Sequence, residues 1–64
     1  MAMTQQMILG QLIDQAQADL SAQGFMARAA AHTKNEKWEA QAKGEILRLQ
    51  AIVDFYQDEL NKLQ

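Results

Sequence analysis

The segment from Trp38 to Leu63 carries apolar residues on two opposite sides of one helical repeat. Trp38, Ala42, Ile46, Leu49, Val53, Tyr56, Leu60 and Leu63 step by three or four residues, which keeps them on a single face. Gly44, Leu47, Ala51 and Phe55 step the same way on roughly the opposite face, at about 100° per residue. One of these faces can pack against the rest of its own chain. The other has nothing left in 64 residues to cover it. The pattern therefore predicts that a second copy or a partner covers it.

Size sharpens this expectation. A chain this short buries only about 60% of its unfolded surface. Such domains usually rely on disulfides, a metal or oligomerisation. The sequence has no cysteine and one histidine, His32. Disulfides and thiolate sites are excluded, and a histidine-rich metal site cannot be built, so no metal and no cofactor are expected. Oligomerisation is the remaining source of stability.

Proline is absent and good helix formers dominate, with no alternating β pattern of useful length. The fold class expected is all-α. Leu9, Ile13, Ala16, Leu20, Ala27 and Ala31 share a face in the first half. Thr33-Lys-Asn-Glu36 reads as a capping box that starts a second helix, with Thr33 accepting from the Glu36 N–H. The reading is one domain, an antiparallel two-helix hairpin. Helix one covers about 4–31, the turn about 32–35 and helix two about 36–63. Self-association would complete a four-helix bundle or a larger helical assembly. Gly24 is the rival breakpoint, because glycine often follows a helix end. In that alternative, helix one ends near residue 23 and a long second helix starts near Phe25. The unbroken apolar phase across Gly24 favours continuity.

The packing expected sets small residues after Leu20 against Trp38, Ala42 and Ile46 near the turn, with Trp38 and Tyr56 in the core. At the open end, Leu9, Leu12, Ile13 and Ala16 would meet Val53, Tyr56, Leu60 and Leu63. The candidate interface for another copy or a partner is Gly44, Leu47, Ala51 and Phe55, extended by Met7 and Phe25, with Met3 beside them.

Net charge is −2 and the isoelectric point about 5.1, which speaks against general nucleic-acid binding. No apolar run approaches the ~18 residues of a membrane span. The N-terminal residues lack the basic and apolar regions of a signal peptide. The localisation expected is cytoplasmic. Arg28, Lys34, Lys37, Lys43 and Arg48 lie between positions 28 and 48, with His32 among them. A hairpin turning near residue 33 would gather them at a basic tip beside a helix N-terminus. Arg28, His32, Thr33, Lys34 and Lys37 are thus a candidate site for a small anion or nucleotide. No nucleophile motif, phosphate loop or carboxylate–histidine metal pattern is present, so the chain is not expected to be an enzyme.

The function expected is that of a homo-oligomeric protein-interaction module: a small adaptor, assembly factor or inhibitor of a larger protein. The alternative is an anion or nucleotide binder using the basic tips of an oligomer. Peripheral membrane binding is disfavoured by polar faces that are mixed or acidic rather than basic.

Overall fold

The computed structural model describes residues 3–64. Two helices, α1 (Gln5–His32) and α2 (Glu36–Lys62), pack side by side as a hairpin. Thr4 caps α1, its hydroxyl accepting from the Met7 N–H at 3.1 Å. The helix then runs through Gly24 without a break.

The turn differs from the capping box expected at Thr33. Thr33 closes α1 rather than opening α2: its hydroxyl donates to the carbonyls of Ala29 and Ala30, each at 3.1 Å. Lys34 follows with φ 58°, in the left-handed region. The Lys34 N–H then reaches the Ala31 carbonyl, and the Asn35 N–H reaches the Ala30 carbonyl at 2.9 Å. This pair of reversed bonds is the Schellman ending, with lysine in the position that glycine usually takes. Asn35 caps α2, its side-chain oxygen accepting from the Trp38 N–H at 3.0 Å. Asn35 thus serves both helices, which is why the connection needs only three residues. Asparagine is at least as good an N-cap as threonine. The left-handed step at Lys34 completes the α1 ending before a box at Thr33 can form.

The buried residues are Ile13, Ala16 and Ala30 from α1 and Ala42 and Leu49 from α2. Three of the five are alanines, so the helix axes approach closely but little hydrocarbon leaves water. Trp38, Ile46, Ile52, Val53, Tyr56 and Leu60 are only half-buried. Trp38 and Tyr56 therefore edge the core rather than fill it. Leu12 and Leu63, expected inside the open end, are exposed. The reason is geometric. A pair of helices encloses only the strip facing the partner, and the apolar arc of α1 that includes Leu12 is wider than that strip, while Leu63 is the C-cap of α2, past its last full turn. The molecule is a flat rod, 47 × 21 × 12 Å, with a radius of gyration of 14.8 Å. A compact domain of this length would have about 11 Å.

Candidate functional site

The two long flanks of the rod differ. On one flank, α1 presents Ile8, Leu12, Gln15, Asp19, Gln23 and Met26, which step by three or four residues along one stripe. Opposite them α2 presents Trp38, Gln41, Glu45, Arg48, Ile52 and Tyr56 with the same stepping. Two shallow grooves lie between these rows. One of about 520 Å³ runs between Gln23 and Met26 on one wall and Trp38, Gln41, Ala42, Gly44 and Glu45 on the other. A second of about 210 Å³ is lined by Leu12, Gln15, Ala16 and Asp19 against Arg48, Leu49, Ile52 and Tyr56. The two lie along the same flank as an interrupted furrow, floored by the buried Ala16, Ala42 and Leu49. Leu12 and Met26 stand exposed in its α1 wall, and Ile8 is exposed one turn before Leu12. The opposite flank carries Gln17, Ser21 and Arg28 on α1 and the half-buried Ile46 with Gln50 and Gln57 on α2.

Charge in the furrow is concentrated at its middle. The Arg48 guanidinium donates to the Glu45 carboxylate at 2.6 and 3.0 Å. That hydrogen bond holds the Glu45 carboxyl below its ordinary value and the Arg48 guanidinium above its own. The negative charge of Asp19, across the furrow on α1, adds to the effect on Arg48. The other ion pairs among the described residues, Lys43–Glu39 and Lys62 with Asp58 and Glu59, lie along α2.

The interface residues anticipated from sequence are exposed, but the fold does not gather them. Leu47 is 69% and Phe55 58% exposed, with Ala51 open between them and Gly44 open one turn before Leu47. Ala51 is nine residues from the buried Ala42, about half a turn around the helix. This stripe is the outer back of α2. Met7 and Phe25 are each nine residues from the buried Ala16, so they occupy the outer back of α1. The two groups face away from each other across the rod and cannot extend one surface. Gly44 alone of the α2 group reaches the furrow. The furrow itself escaped the sequence reading. Its signal is the Ile8, Leu12, Met26 stepping. Knowing which flank of α1 meets which flank of α2 needs the hand of the hairpin.

At the tip, Arg28 leans over the Phe25 ring, with Cζ 4.4 Å from its centroid. His32 ends α1, Lys34 lies in the turn and Lys37 in the first turn of α2. The Thr33 hydroxyl is engaged by α1 carbonyls, and Glu36 and Glu39 share the first turn of α2. Among the described residues no cluster of three or more His, Cys, Asp or Glu side chains is placed to hold a metal. No described helix is long and apolar enough to cross a membrane. No protein family matches the chain, and no curated protein or solved structure is significantly similar to it.

Proposed function

We propose that the protein is a non-enzymatic interaction module that works as a homo-oligomer and offers its remaining apolar surface to a larger protein, as an adaptor, assembly factor or inhibitor does. One observation carries this reading. The single chain exposes 4953 Å², whereas a folded monomer of 7.2 kDa exposes about 4,100 Å² on average. The excess is about the ~800 Å² that each partner buries in an interface of standard size. Exposed large apolar side chains, among them Leu12, Met26, Leu47 and Phe55, contribute to it.

Light scattering coupled to size exclusion tests the reading. The expected result is a mass at least twice the 7.2 kDa of one chain, falling on dilution. A lone chain at every concentration up to the millimolar range overturns the proposal.

A further inference from the structure

We propose that the outer back of α2 is the self-association face, and that the second copy's α2 lies along it antiparallel and in full overlap. This inference rests on the self-association just proposed and specifies its face, direction and register.

Continuity selects the face. Ala40, Gly44, Leu47, Ala51 and Phe55 step by three or four residues, and all five are exposed. They form an apolar row about 22 Å long at 1.5 Å per residue. The other exposed apolar surfaces are interrupted. On the back of α1, Met7 and Phe25 stand about five turns apart, with Gln11 and Asp14 between them. In the furrow, Gln15, Asp19 and Gln23 separate Leu12 from Met26, and Glu45 and Arg48 stand opposite.

Shape selects the direction and the register. Small and large residues alternate along the row from Gly44 through Leu47 and Ala51 to Phe55. Turned end for end, the same row sets the second copy's Phe55 on Gly44 and its Leu47 on Ala51. A two-fold axis makes each contact twice. This register also brings Glu36 level with the second copy's Lys62, so α2 overlaps itself from end to end. A parallel pair sets Phe55 on Phe55 and leaves the space over Gly44 unfilled.

Charge agrees. Lys43 and Asp54 are about three turns apart, so they share one flank of the row. Antiparallel pairing about a two-fold axis brings like flanks together, and this register sets Lys43 beside the second copy's Asp54, twice. Lys43 otherwise meets only Glu39, and Asp54 has no ion pair among the described residues. A parallel pair opposes Lys43 to Lys43 and Asp54 to Asp54. On the other flank Arg48 nears its own copy, where Glu45 already neutralises each guanidinium. The edge of the rod is 47 Å long and 12 Å thick, so the contact covers roughly 500 Å² per partner, in the size range of weak pairs that separate on dilution. The product is a layer of four helices with both furrows open to a larger protein.

The experiment has three arms. Light scattering on the unmodified chain comes first; a lone chain there removes self-association and this inference together. With an assembly present, Leu47→Glu and Phe55→Glu should each raise its dissociation constant by at least about tenfold, and Leu12→Glu, in the furrow, should leave it within about twofold. The reverse pattern overturns the α2 face while leaving self-association standing. The third arm reads direction. The chain has no cysteine, so a nitroxide on Glu36→Cys labels the start of α2 alone. Spin pairs about 40 Å apart, the length of α2 at 1.5 Å per residue, support the antiparallel pair. A separation under about half that overturns it.

Discussion

Lys34 is the one described non-glycine residue with positive φ. A side chain in that region costs about 1 kcal/mol or more relative to glycine. Lys34→Gly is therefore expected to stabilise the hairpin by roughly 0.5–1 kcal/mol in chemical denaturation at fixed protein concentration; a loss of stability would contradict the Schellman geometry. Asn35 and Thr33 give a matched comparison. Asn35→Ala removes the one side-chain bond to the start of α2 among the described residues and should cost about 1 kcal/mol. Thr33→Ala removes a hydroxyl that only re-bonds carbonyls at the α1 terminus, and should cost less. The opposite order would restore Thr33 as the α2 cap. For Glu45, Arg48→Gln should move the carboxyl's titration up toward the ordinary carboxylate value in carbon NMR, because its principal hydrogen-bond donor is lost. A carboxyl with a lowered folded value stabilises the fold above its unfolded value. That contribution fades as pH falls through the folded value. Both side chains are exposed, so the effect on stability is small.

The helices persist because of what surrounds each of them more than because of propensity alone. In folded proteins, packing of one apolar face supplies most of a helix's stability. Here the packed strip is narrow and rich in alanine. Ala30 has no exposed surface, so Ala30→Leu should force the axes apart and cost about 1–3 kcal/mol, read by thermal or chemical melting. Gly24 tests the opposite case. It lies inside α1, and an added methyl would meet nothing within 4 Å. Gly24→Ala is expected to stabilise by about 1 kcal/mol. Destabilisation would reveal a neighbour seated there in the assembled protein.

For the molecule as a whole, a rod one helix thick, with five buried residues among those described, has little stability of its own. If assembly supplies the rest, the melting temperature should rise with protein concentration. For a two-chain assembly of this size the rise is about 5 °C per tenfold. A melting temperature that ignores concentration would mean that the hairpin is self-sufficient.

Local patterns determined the two-helix architecture. The phase of Leu9, Ile13, Ala16, Leu20 and Ala27 carried α1 across Gly24, and the second periodic run began after a short polar stretch. Both signals are contacts within a few residues, and neighbours along a helix are known from spacing alone. The same spacing showed that α2 has an apolar back. Which residue caps which helix was decided by the left-handed step at Lys34, because Thr33, Asn35 and Glu36 offer competing local bonds. The pairing of flanks lay further out of reach. Met7 and Phe25 are compatible with Leu47 and Phe55 as wheel positions, but packing puts each set on the outer back of its own helix, on opposite sides of the rod. The hand of the turn aligns Leu12 and Met26 with Trp38, Ile52 and Tyr56. Helical periodicity specifies angles around an axis, and only the packed pair of axes converts those angles into shared surfaces.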